Sequence, residues 1–178
     1  ENPLLQQWST PFGAPPFEAI TPDHFRPAFD EAIARHREEV DAIAGEPAEP
    51  TFDNTILALE RSGRALDQVA AVFFNLASAD TNDSLQQTQR EIAPVLARHA
   101  DELNLNEALF RHVDDLWRRR ASLGLNDEQA RLLERYHTRF VRCGAGLDAD
   151  GKKRLAAINE RLATLGTAFS QNVLADEK

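Results

Sequence analysis

Apolar residues recur along most of this chain at spacings of three and four, the period of a helix with one buried face. The first such stretch opens at Thr21-Pro22-Asp23, where an N-cap residue, a first-turn proline and an early acid together signal a helix start. The predicted helix carries Phe25, Phe29, Ile33, Val40 and Ile43 inward and stops at Gly45 and Pro47. A second, long helix is predicted from Thr51–Asn54 to about Ala79, with Ile56, Leu59, Leu66, Val69, Phe73 and Leu76 as its stripe. After Asp80-Thr81-Asn82-Asp83, a third runs through Leu85, Ile92, Leu96 and Leu103 to Asn104, with a kink at Pro94.

Asn106 begins a fourth helix, with Leu109, Val113, Leu116 and Trp117, which ends near Leu123-Gly124. Asn126 with Gln129 three residues later forms a capping-box pattern for a fifth. That helix turns Leu133, Tyr136, Phe140 and Cys143 inward and stops at Gly144 and Gly146. The sixth, from Lys152 to Lys178, places Leu155, Ile158, Leu162, Leu165, Phe169 and Val173 on one face, and no stop signal follows Val173. Such a face needs a partner surface, so the chain reads as the amino-terminal piece of something longer.

No stretch alternates apolar and polar residues for long enough to predict a strand, so the fold class is all-α, a bundle of about six helices. No fixed-period repeat supports a solenoid. Ahead of Thr21, Pro3, Trp8, Pro11-Phe12-Gly13 and Pro15-Pro16-Phe17 lack a helical period, and residues 1–20 are expected to form an extended arm packed along the helical body of residues 21–178.

Composition narrows this further. With 178 residues, 42% hydrophobic and 28% charged, the chain is long and apolar enough to bury a core. Its longest uncharged apolar-rich run, Val69 to Ala79, is too short for a membrane span. The chain opens on Glu1 and has no Met, so the start reads as a processed end or an artificial boundary. The single cysteine excludes an internal disulfide and a cysteine zinc knuckle, and leaves the compartment open. The net charge is −9, and residues 1–100 hold all the excess, 16 Asp and Glu against 7 Lys and Arg. That surface repels phosphate backbones, so nucleic acid is not an expected partner.

Candidate chemistry is sparse. A helical zinc-hydrolase site needs two imidazoles one turn apart with a carboxylate beside the first. None of His24, His36, His99, His112 and His137 has a histidine four residues later. His36 lies near Glu38 and Glu39, and His112 near Asp114 and Asp115, spacings that solvated helix faces commonly show. Cys143, close to Arg139, Arg142 and His137, could be an activated thiol, but its helical phase with Tyr136 and Phe140 predicts a small buried hydrophobe. Gly144-Ala145-Gly146 follows a helix and lacks the full phosphate-loop spacing, so it reads as a helix stop.

Arg131, Arg135, Arg139 and Arg142 form a stripe about a quarter turn from the apolar face of the fifth helix. It is either a solvated flank or a grip for carboxylates on an acidic partner lobe or a peptide. Arg118-Arg119-Arg120 is accounted for by the negative end of a helix dipole. No residue is assigned a catalytic, cofactor-binding or metal-binding role.

Ordered words in the chain carry a resemblance. Asn2-Pro3-Leu4-Leu5, the run Pro16-Phe17-Glu18-Ala19-Ile20-Thr21-Pro22-Asp23-His24-Phe25-Arg26-Pro27-Ala28-Phe29, and Thr51-Phe52-Asp53-Asn54-Thr55-Ile56 with Leu59-Glu60 come first. Phe140 to Leu147 and Leu165 to Leu174 follow. Together they resemble the amino-terminal region of the thimet-type zinc metallopeptidases, nearest the peptidyl-dipeptidase branch, with the oligopeptidase branch next.

The resemblance implies a two-lobed helical enzyme in which zinc, held by His-Glu-x-x-His and a later Glu, hydrolyses short peptides. All those residues would lie outside this chain, in a carboxyl-terminal catalytic portion that would be its partner. The segment itself would form channel wall in an amino-terminal lobe, without zinc or catalysis of its own. A cytoplasmic location is implied, with an exported, leader-cleaved form as the alternative. The competing reading from the residues is a stand-alone helical interaction module.

Overall fold

In a computed structural model that describes residues 2–176, every regular element is a helix or a helical turn, and no strand occurs among the described residues. The long helices are α1 (Phe25–Ala44), α3 (Arg64–Ala79), α4 (Asp83–Asn104), α5 (Glu107–Arg119), α6 (Asp127–Arg142) and α7 (Ala149–Asp176). A short α2 (Ala58–Arg61) continues a π-helical segment, Phe52–Leu57. The last two residues, Glu177 and Lys178, where the sixth predicted helix was expected to end, lie outside the described residues.

Helix starts follow local side-chain chemistry. The Asn126 side chain accepts the Gln129 N–H at 2.9 Å while the Gln129 side chain accepts the Asn126 N–H at 3.1 Å, which satisfies two donors that the first turn of α6 leaves without intrahelical partners. Thr51 and Asn54 make the same reciprocal pair at 3.1 and 2.7 Å. At the other end of α6 the N–H of Ala145 bonds to the carbonyl of Phe140 and that of Gly144 to the carbonyl of Val141, a Schellman closure. Gly144 has φ +87°, which favours glycine, and a Cβ there would also press on the end of the Leu155 side chain at 2.7 Å.

Two expectations are corrected. The single helix predicted over 51–79 is broken between α2 and α3, where Ser62 is extended and Gly63 takes φ +74°. The His36 ring of α1 occupies the space a Gly63 Cβ would fill, at 2.9 Å, so this position suits glycine. The opening segment is not extended throughout. It contains 3-10 turns at Pro3–Leu5, Pro11–Gly13, Phe17–Ala19 and Pro22–His24, three of them opening on a proline whose fixed φ suits a first helical position.

The chain divides into two compact units. One comprises the residues up to His36, Gly63–Leu96 and the segment from Glu160 on. Its core is aromatic: Phe73 meets Phe25 and Phe29 edge to face at centroid distances of 5.1 and 5.3 Å, with Val69, Val72, Leu85 and Ile92 around them. Leu4 is fully buried in this core, and Gln68 Nε2 donates to its carbonyl at 2.8 Å. The other unit comprises Arg37–Ser62 and Ala97–Asn159. There α5 and α6 bury Leu109, Val113, Leu116, Leu133 and Phe140 with Val40, Ile43, Ile56 and Leu59.

Candidate functional site

The five histidines stand on five different elements. His24 Nδ1 accepts the backbone N–H of Thr21 at 3.0 Å and so caps the turn that leads into α1. His36 packs against Gly63. His99 is buried on α4 with Nδ1 at 3.9 Å from Glu102. His112 is half-buried on α5.

His137 on α6 reaches α5. Its Nε2 lies 3.1 Å from Asp114 Oδ1, and its ring stacks on Trp117 at 4.9 Å with 13° between the planes. Asp114 also holds Arg118 at 2.7 Å, and the Arg120 guanidinium sits 4.0 Å over Trp117. The sequence sets Asp114 beside His112, but residues two apart point to different sides of a helix, and the structure gives the acid to His137 instead. This clasp ties two helices together.

Among the described residues, no three His, Cys, Asp or Glu side chains converge on a point that could hold a metal ion. No zinc-dependent step is assigned to these residues. Cys143 is half-buried at the C-cap of α6, more accessible than its helical phase predicts, because the chain leaves the helix there. Gly144-Ala145-Gly146 is the helix stop already described.

The arginine stripe stands on the outer face of α6. Arg131 is paired with Glu134 at 2.6 Å. Arg135 and Arg139 flank a cleft of about 250 Å³ floored by Leu132, where the Tyr136 hydroxyl donates to Glu60 at 2.8 Å. A wider depression of about 430 Å³ runs along the same face from Arg131 to Arg142, with Thr138 between them. Arg119 bonds Asp115 and Glu49, each at 2.7 Å, and the carbonyl of Pro50 at 2.8 Å, so the Arg118–Arg120 run is tied into ion pairs beyond its place at a helix end. These clefts offer charge and hydrogen bonds to a passing carboxylate. None brings together a nucleophile, a base that activates it and oxyanion donors.

One polar group escapes sequence reading. Asp101 on α4 is 8% exposed, its Oδ1 accepts from Asn159 Nδ2 at 2.7 Å, and its Oδ2 has no hydrogen-bond partner among the described residues. Burial raises its carboxyl above the ordinary carboxylate range, and the Asn159 amide opposes that shift. The folded chain thus holds this proton more tightly than the unfolded chain does. Ionised Asp101 weakens the fold at neutral pH, and the penalty fades as pH falls through its raised value. Asp101→Asn keeps an acceptor for Asn159 and removes the charge. Its effect on stability is expected to be more favourable at pH 7 than at roughly pH 4, read from urea melts at both pH values. An equal effect at both pH values would contradict the assignment.

Comparison with known proteins adds what the geometry does not supply. The chain is 46% identical to the dipeptidyl carboxypeptidase of Salmonella typhimurium over 177 residues, 99% of this chain and 26% of that protein. Identity, length and coverage are the same for the dipeptidyl carboxypeptidase of Escherichia coli. It is 29% identical to Escherichia coli oligopeptidase A over 173 residues, 97% of this chain and 25% of that protein. The chain thus spans about a quarter of the length of these relatives, at their amino-terminal end. No protein-family model matches it.

Proposed function

We propose that this chain, similar over 97–99% of its length to dipeptidyl carboxypeptidase and oligopeptidase A, is the amino-terminal helical lobe of a zinc metallopeptidase of their family. In this reading the whole protein hydrolyses short peptides and releases dipeptides from free carboxyl termini. The lobe forms channel wall that admits flexible peptides and excludes folded proteins, a task of shape that a bundle of packed helices suits. Zinc and the catalytic groups belong to the remaining portion of the polypeptide, which is the lobe's partner. The protein works in the cytoplasm; an exported form is the alternative. None of the described helices is long and apolar enough to cross a membrane.

The observation that carries the reading is the match at 46% identity over 99% of the chain, against relatives about four times as long. Two assays test it. The isolated chain, incubated with zinc and a short peptide bearing a free carboxyl terminus, is expected to release nothing. The full natural polypeptide is expected to release carboxyl-terminal dipeptides in a chelator-sensitive way. Turnover by the isolated chain that survives repurification and disappears when one of its five histidines is replaced would overturn the proposal. So would a natural polypeptide without peptidase activity, which would favour a stand-alone interaction module.

A further inference from the structure

Helix α7 leaves a row of large apolar residues outside the core. Over its 28 residues no side chain is buried. Its large apolar residues face solvent: Ile158, Leu162, Leu165, Phe169 and Val173 are 46, 60, 48, 70 and 42% exposed. Its inner side carries the half-buried Leu155, Ala156, Ala163 and Leu174, and several polar bonds tie it to the rest of the chain. Gln171 Nε2 donates to the carbonyl of Gln86 at 2.9 Å, and Gln171 Oε1 accepts from Arg90. Asn159 donates to Asp101 at 2.7 Å, and Lys152 donates to Glu107 at 3.0 Å. A surface helix ordinarily shows the reverse arrangement.

Ile158, Leu162, Leu165 and Phe169 stand at steps of four, three and four residues, the seam that packs against another helix at a shallow angle with side chains interleaved. A row this long left in water is the mark of an interaction surface.

We propose that the face of α7 formed by Ile158, Leu162, Leu165 and Phe169 is a helix-docking seam, covered by a helix in the part of the same polypeptide beyond this chain. The choice of occupant rests on the proposed function and on length: relatives that match 99% of this chain extend to about four times its size, so a large covalently attached body is at hand. A second copy of the chain is the competing occupant.

The experiment compares the 178-residue chain with the full natural polypeptide, each as wild type and as the Leu162→Asp, Phe169→Asp double variant. Hydrogen exchange across residues 158–173 and thermal melting are the readouts. In the isolated chain the double variant is expected to leave the melting temperature nearly unchanged and to reduce self-association, since the face is uncovered. In the full polypeptide those amides are expected to exchange at least tenfold more slowly than in the isolated chain. The double variant should remove that protection and lower the melting temperature.

Equal exchange in both contexts would overturn the inference. So would a double variant that destabilises the isolated chain, because the seam would then be buried within it. A discrete dimer of the isolated chain that the double variant dissolves, with no added protection in the full polypeptide, would assign the seam to a second copy and overturn it as well. Protection without peptidase activity would leave the seam standing and remove the peptidase reading; activity without protection would do the opposite.

Discussion

Replacing Phe73 with alanine is expected to destabilise the protein by about 3–5 kcal/mol, a fall in melting temperature of roughly 10 °C. The side chain is fully buried on α3 and meets two rings of α1, Phe25 and Phe29, edge to face at 5.1 and 5.3 Å. Truncation removes the transfer energy of the ring, leaves a cavity among groups that cannot all close on it, and forfeits two aromatic contacts. Phe74 supplies the control. It is the same side chain one residue later, 42% exposed, and touches Phe73 at 5.2 Å. Phe74→Ala is expected to cost less than about 1.5 kcal/mol, the contact with Phe73 being its main loss. Equal costs for the two would mean that burial in this core is not what holds α1 to α3.

The second large effect belongs to the other unit. Phe140→Ala is expected to cost about 3–5 kcal/mol, because the ring is fully buried in the cluster that joins α5 and α6 and stacks near Phe110 at 6.1 Å. Its neighbour Val141 is 51% exposed, and Val141→Ala should change stability by no more than about 0.5 kcal/mol. Denaturant melts of the four variants, with hydrogen exchange to locate the damage, check both expectations. Exchange should rise first in α1 and α3 for Phe73→Ala, and in α5 and α6 for Phe140→Ala.

Elements governed by neighbours in sequence were legible in advance. The Asn126 and Gln129 box, the start at Thr51–Asn54 and the stop at Gly144 each depend on residues within a turn of one another, and all three stand where the pattern puts them. Features that depend on distant neighbours were not. The break at Gly63 lies against the His36 ring, 27 positions earlier in the chain, and a stripe counted along 51–79 runs straight across it. Asp101 carries no local sign of burial, since Asn159 stands 58 residues away. His137 and Asp114 meet across 23 residues, whereas the nearer pair, His112 with Asp114, diverges around its helix. The α7 stripe was legible as a pattern, but a pattern does not say whether a partner is present: here the face looks out to solvent.

The proposed function rests on resemblance more than on chemistry. The side chains of this chain cap, clasp and pack, and the sequence words near Thr21, Thr51 and Phe140 that point to a peptidase family are themselves these structural elements. Under the proposed function the lobe shapes a channel, and such work would leave its trace in helix starts and core rings without a reactive group to mark it.

The central claim, that this is the non-catalytic lobe of a metallopeptidase, is tested most directly by reading the natural coding frame past Lys178. The account predicts several hundred further residues that include His-Glu-x-x-His and a downstream Glu, in keeping with relatives of which this chain covers 26%. A stop codon shortly after Lys178, with neither motif present, would contradict it.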